Sequence, residues 1–219
     1  MIFNTSQDTY NFTDLNTVKR IGIKISGGAD SGAIAYMIFK TIHEQNLNVE
    51  VVAITTSHDD KPYQVIYSKK VIAWLQKEFP SIKVIEHITN NTNGMDYSWA
   101  QDIVLNIAYR QLKIERHYNG ITQNPPRKIS EQFEDESIGE FDEERFGKFN
   151  QYNGDTSHPG YRPFINTDKQ GVASIYKQYN LINTLFKETR SCEKVTKDFS
   201  KHCGKCWYCK EREWGFGKI

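Results

Sequence analysis

The first 191 residues contain no cysteine, and all four of the chain's cysteines fall in its last 28 residues, at 192, 203, 206 and 209. A disulfide framework would spread its cysteines across a small secreted domain, so this distribution argues against one. A surplus of charge of one sign is also missing: 28 lysines and arginines face 27 aspartates and glutamates. That balance argues against a chain whose main partner is nucleic acid or an anionic membrane surface. No apolar run approaches the ~20 residues of a membrane span. The opening residues, IFNTSQDTYNFTDLN after Met1, lack the basic n-region and apolar h-region of a secretion signal. The expected location is therefore the cytoplasm, with neither a membrane nor stably bound nucleic acid as partner. No internal repeat is visible. With 219 residues the chain is long enough for one domain with a small appendage and a real core.

The N-terminal part alternates strands and helices. Residues 19–26 alternate Ile21, Ile23 and Ile25 and predict a first strand. Residues 31–44 carry Ala33, Ile34, Met37, Ile38 and Ile42 at helical spacing. A β-branched run at 49–58 predicts a buried second strand, and residues 63–79 predict a helix ended by Pro80. A third strand at 83–88, a helix at 97–115 and a short fourth strand at 117–122 follow, with another helix at 168–180. Successive strand–helix units require crossover connections, hence an α/β fold with a parallel sheet and helices on both faces. Residues 123–161 are polar and rich in Pro, Gly, Glu and Asp. They predict an insertion, read either as a solvated surface segment with one short helix near 129–136 or as a lid or partner contact.

The first strand runs into Ser26-Gly27-Gly28-Ala29-Asp30-Ser31 and then a helix. A helix N-terminus leaves backbone N–H groups unpaired and carries partial positive charge. Two glycines let those amides approach an anion closely, and two serines add hydroxyls. Asp30 would repel a bare phosphate, so its expected work is to cap the helix or to hold a metal ion on phosphates. No Lys-Ser/Thr pair follows at Walker spacing and no G-x-G-x-x-G is present. From spacing alone, a phosphate site and an ordinary glycine turn stay equally open.

At the other end, the cysteines read C-x10-C-x2-C-x2-C. Short turns bring such thiolates to one tetrahedral centre, and four of them make a closed, structural zinc site that would staple a tail too short to bury its own core. An iron–sulfur cluster, disulfides and unligated thiols are the alternatives. Trp207 and Tyr208, between ligands, are expected to pack the knuckle rather than stack a base. Asp59 and Asp60 are expected to be exposed. The sequence supplies no general acid or base.

The SGGADS hexapeptide resembles the SGGxDS signature of the PP-loop ATP pyrophosphatases, in its expected place between strand and helix. The resemblance implies that Ser26, Gly27, Gly28, Ala29, Asp30, Ser31 and Gly32 bind ATP, which is cleaved with Mg²⁺ to AMP and pyrophosphate while an oxygen of the substrate is adenylated. Thr189-Arg190-Ser191-Cys192 and Cys203-Gly204-Lys205-Cys206, with Cys209 and Arg212, are similar to the closing motifs of the 7-cyano-7-deazaguanine synthase family. Before them a proline-bearing strand, Lys169 and a helix follow that family's course, whereas TTSHDDKPYQ stands where the family carries Tyr-Gly-Gln. The resemblance implies a carbon–nitrogen ligase that turns 7-carboxy-7-deazaguanine and ammonia into the nitrile with two ATP, and one structural Zn²⁺ on Cys192, Cys203, Cys206 and Cys209. Lys169 is read either as a phosphate contact or as a solvated lysine. The implied layout is an N-terminal extension at 1–18, a PP-loop domain at 19–185 with the insertion inside it, and a zinc segment at 186–219; a homodimer is also carried as an expectation. The competing readings are a PP-loop enzyme that adenylates another carboxylate or a nucleobase, and a non-catalytic zinc knuckle that binds nucleic acid.

Overall fold

The computed structural model describes residues 1–133, 145, 159–196 and 198–219. A hairpin of β1 (Ile2–Asn4) and β2 (Thr9–Asn11) opens the chain, followed by β3 (Arg20–Lys24), α1 (Ala29–Glu44) and β4 (Glu50–Ser57). Next come α2 (Tyr63–Glu78), β5 (Val84–Asn91), α3 (Tyr97–Arg110) and β6 (Arg116–Tyr118). A single-turn α4 (Arg127–Ser130), β7 (Gly160–Tyr161), α5 (Lys169–Gln178) and α6 (Trp207–Phe216) complete the described elements. The main sheet has the order β5-β4-β3-β6-β7, and every pairing in it is parallel.

The period of two along the strands sorts side chains between two layers. Ile21, Ile23 and Ile25 join Val51 and Ala53 under α1 and α2, in a core that also takes in Val172, Ala173 and Tyr176 of α5. Val52 and Ile54 point the other way, against Val104 and Ala108 of α3. The chain runs outward from β3 through β4 to β5, then returns to the other side of β3 with β6. The strand order thus reverses between β3 and β6, and in open parallel sheets the crevice for a ligand lies beyond the carboxyl ends at such a point.

Residues 1–18 are set into the molecule. Phe3 and Tyr10 are buried, and Phe3 meets Phe12 and Tyr179 at ring-centroid distances of 6.1 and 5.7 Å. Asp14 pairs with Arg116 at 2.8 Å.

Four expected elements differ. The helix expected over 97–115 ends at Arg110, because Lys113 takes a left-handed conformation at φ 57° and sends Ile114 into the core beneath α3. The strand expected at 117–122 ends at Tyr118; beyond it, Gly120 presses against the backbone of Asp30 and Ser31, where an added Cβ would lie 2.7 Å from both. Pro163 sits in a turn after the two-residue strand β7 rather than in a strand. The helix expected near 129–136 is only the turn Arg127–Ser130, and its remainder past 133 lies outside the described residues, as does most of the 123–161 insertion.

Candidate active site

A cavity of about 390 Å³ opens beyond the carboxyl ends of β3, β4 and β6. That volume falls within the roughly 300–1,000 Å³ typical of small-molecule sites. Its floor is the glycine turn. Gly27 has φ +81°, which favours glycine, and a Cβ there would lie 2.5 Å from the Tyr67 side chain. The serines knit the turn: Ser31 Oγ accepts from the Ser26 N–H at 3.2 Å and donates to the Gly28 carbonyl at 3.1 Å. Gly28 is the N-cap of α1 and no side chain caps that end. Asp30 lies inside the first turn of the helix rather than at the cap, so of its two expected roles the capping one is not seen. One Asp30 oxygen, Oδ2, accepts from Lys169; the other, Oδ1, is buried without a hydrogen-bond partner. A buried carboxylate oxygen with a free lone pair fits a cation ligand, which is the other expected role.

Lys169 is not solvated. Asp168 caps α5 by accepting from the Gln170 and Gly171 amides at 2.8 and 3.3 Å, and this cap sets Lys169 at the first helical position. The side chain is 4% exposed and its ammonium lies between Asp30 and Glu211, 3.5 Å from the latter. Glu211 of α6 is itself 2% exposed and takes a second cation, Arg145, at 2.5 Å. Arg145 also donates to the Thr122 carbonyl at 2.9 Å and to the Gln123 carbonyl at 3.1 Å. Burial pushes the Glu211 carboxyl up, but Lys169 and Arg145 outweigh it and leave it below its ordinary value. Asp30, Lys169, Glu211 and Arg145 thus form one connected line of alternating charge along the cavity.

The remaining walls are polar and aromatic. Lys24, at the end of β3, donates to Gln101 of α3, and both line the cavity with Arg162. Burial, with Arg162 close by, brings the Lys24 amine down to about 8. Tyr97, one helical turn before Gln101 on α3, also lines the cavity and stacks on His58 at 4.4 Å between ring centroids. Arg190 is buried over the Tyr63 ring and its guanidinium donates to the carbonyls of Phe199 and Lys201 at 2.6 and 2.8 Å. Its backbone N–H donates to the Gly27 carbonyl at 2.8 Å, which ties the glycine turn to the tail.

That tail leads into the cysteines. The sulfurs of Cys192, Cys203, Cys206 and Cys209 all lie within 4.8 Å of one another. The Cys203–Cys209 and Cys192–Cys206 sulfur pairs are 3.9 and 4.0 Å apart. Four thiolates about 2.3 Å from a single ion would be separated by roughly 3.8 Å, so the cluster fits one tetrahedral metal ion. A multi-iron cluster would need its sulfurs spread wider. Hydrogen bonds from Cys206 and Cys209 lower the Cys192 thiol, and Cys209 is pushed up in turn. Cys206 is the N-cap of α6 and Cys209 lies one turn on, where the helix N-terminus favours negative charge. Trp207 packs edge-to-face on Phe133 at 5.4 Å, and Tyr208 packs against the cysteines, as expected of a knuckle residue, while also lining the cavity. Asp59 and Asp60 are exposed, and Asp59 accepts from the Asn93 and Gly94 amides at 2.8 Å.

The structure therefore brings Ser26, Gly28, Asp30, Ser31 and Lys169 into one cavity and sets the cysteines behind it. Sequence reasoning missed Lys24, Arg145, Arg162 and Glu211. Glu211 carried one usable signal: it lies two residues past a metal-ligand cysteine, on a helix that the spacing of those cysteines starts.

The described fold is a parallel α/β sheet with a glycine turn at the end of its central strand and a C-terminal cysteine cluster able to hold a metal. The U34-tRNA thiolase NcsA from Methanococcus maripaludis, solved with its [4Fe–4S] cluster, superposes with a TM-score of 0.50 at 13% identity, over 93% of this chain and 74% of that one. NAD⁺ synthetase from Burkholderia pseudomallei superposes with a TM-score of 0.39 at 11% identity, over 93% and 76% of the two chains. The family model described as queuosine biosynthesis protein QueC matches residues 154–219. The family match is confined to that C-terminal segment, and the likeness to the solved structures is one of fold. No curated protein matches the sequence.

Proposed function

We propose that the chain is an ATP-dependent carbon–nitrogen ligase that converts 7-carboxy-7-deazaguanine and ammonia into 7-cyano-7-deazaguanine. The substrate carboxylate attacks the α-phosphorus of ATP and pyrophosphate leaves. Ammonia then displaces AMP to give the amide. A second ATP activates the amide oxygen, and loss of AMP with two protons leaves the nitrile. Both oxygens of the acid depart on the two AMP molecules.

The observation that carries this reading is the glycine turn at the carboxyl end of β3, fastened through the Arg190 N–H to a tail that matches the QueC family model. In this reading the amides of residues 26–31 and the Ser26 and Ser31 hydroxyls take the departing pyrophosphate. Mg²⁺, when bound, would neutralise charge on that pyrophosphate, and the free Asp30 Oδ1 is the oxygen offered to it. Lys169, held by Asp30 and Glu211, orients that carboxylate and keeps a cation beside the phosphates. Zn²⁺ on the four cysteines has a structural role, since no ligand position is left open. The base is handled free, in keeping with the balanced charge, and the enzyme works in the cytoplasm without stably bound nucleic acid. Among the described residues no helix is long and apolar enough to cross a membrane.

Turnover tests this. The protein is incubated with ATP, ammonia and 7-carboxy-7-deazaguanine, and AMP and nitrile are both quantified. The expected result is two AMP per nitrile. AMP release indifferent to the base would leave a PP-loop enzyme with another substrate, and no AMP release would remove the enzymatic reading.

A further inference from the structure

Three carboxylates line the cavity, and each already has a cation of its own. Asp30 holds Lys169, Glu211 lies between Lys169 and Arg145, and Glu193 pairs with Lys61 at 2.6 Å. Lys24 stands apart from this pattern. Among the described residues it enters no ion pair, and its ammonium donates to the neutral Gln101 Oε1. After burial, the largest influence on it is another cation, Arg162, on the segment after β7; Asp102 of α3 acts on it more weakly in the opposite sense.

Position adds to this. The alternation of β3 sends Ile23 and Ile25 under α1 and α2 and turns Lys24 toward α3, so its ammonium reaches the cavity from the face opposite α1. Lys24 precedes Ser26 by two residues on an extended chain, about 7 Å between their Cα atoms. An acid group held there lies within reach of the α-phosphate of a nucleotide whose pyrophosphate occupies the turn.

We propose that Lys24, set by Gln101 and assisted by Arg162, is the contact for the carboxylate of the acid to be activated, separate from the phosphate grip at residues 26–31. This rests on the adenylation reading and adds to it the residue that selects an anionic first substrate. The neutral amide intermediate offers no charge to this corner. Lys24 thus discriminates between the two activation steps.

The experiment uses Lys24→Met and Lys24→Gln in the full chain; Gln can still donate to Gln101, so the pair separates loss of charge from loss of that hydrogen bond. For both variants the KM for 7-carboxy-7-deazaguanine should rise about tenfold or more, the worth of a charge-assisted hydrogen bond. The KM for ATP, and turnover starting from 7-amido-7-deazaguanine, should stay within about twofold. In the wild type, kcat/KM for the acid should fall as pH rises through about 8, where the free amine loses its proton, and this limb should vanish in Lys24→Gln. Equal losses for acid and amide, or a rise in the KM for ATP instead, would overturn the assignment. A wild-type enzyme that turns over neither base refutes the adenylation reading itself, and is told apart by the wild-type control. Thermal melting checks that the variants fold; replacing a partly buried amine by Met should not lower the melting temperature.

Discussion

Lys169 tolerates nearly complete burial because two carboxylates, Asp30 and Glu211, hold it. Removing either partner leaves a buried charge uncompensated, and Glu211 is the more consequential because it also holds Arg145. Glu211→Gln should therefore lower stability by about 3–5 kcal/mol at neutral pH, read as a drop in the urea midpoint. The pH dependence follows from the direction of the shift. Burial raises the Glu211 carboxyl, Lys169 and Arg145 lower it more, and its folded value lies below the ordinary 4.5. The unfolded chain thus binds the proton first. The stabilisation is complete above about pH 4.5 and is lost as pH falls through the lower folded value. Melting curves taken between pH 7 and pH 3 should show this acid-side loss in the wild type and a smaller one in Glu211→Gln.

At the scale of elements, α6 joins the cysteines to the cavity. Its first turn contains Cys206 and Cys209, the next residues inward are Glu211 and Arg212, and Gly215 lets it lie against Lys169. A Cβ at Gly215 would lie 2.4 Å from the Lys169 side chain, so only glycine permits this approach. Arg212 stacks on Phe186 at 3.7 Å and donates to Thr189 and Ser191 at 3.0 and 3.2 Å, which holds the helix to the strand-like segment before Cys192. Helices this short are marginal alone, so α6 depends on what fastens its N-terminus. Cys206→Ser should reduce bound zinc from about one per chain toward zero by elemental analysis, with early proteolysis of the residues after 190. Unchanged metal content would remove Cys206 as a ligand, and iron in place of zinc would change the identity of the ion.

On the scale of the whole molecule, the cluster supports the cavity from two sides. One route runs through Cys192 to Arg190, whose N–H holds the Gly27 carbonyl; the other runs along α6 to Glu211, Lys169 and Asp30. Stripping the metal with a chelator should therefore weaken ATP binding as well as lower the melting temperature, and a binding isotherm before and after chelation reads the coupling directly. A lower melting temperature with ATP affinity unchanged would mean that the two ends are independent.

Much of this was legible from residue order alone. Ile21, Ile23 and Ile25 announce β3, the apolar spacing after Ser31 announces α1, and three strand–helix units require a parallel sheet, because backbone period and connection length are local properties. The glycine turn and the cysteine spacing were legible for the same reason: each completes its geometry within a few residues. The hairpin of residues 2–11 was missed, since three-residue strands carry little period to detect. The charged cavity was missed as well. Lys24, Arg145, Arg162 and Glu211 are spread over nearly the whole chain and, read singly, are ordinary surface types. Only the reversal of strand order between β3 and β6, and the packing of α5 on α6, bring them together. The sequence by itself determined the glycine turn and the cysteine knuckle, which are short-range structures. The tertiary structure decided which charges meet, because a buried ion is defined by partners that the fold, not the chain order, supplies.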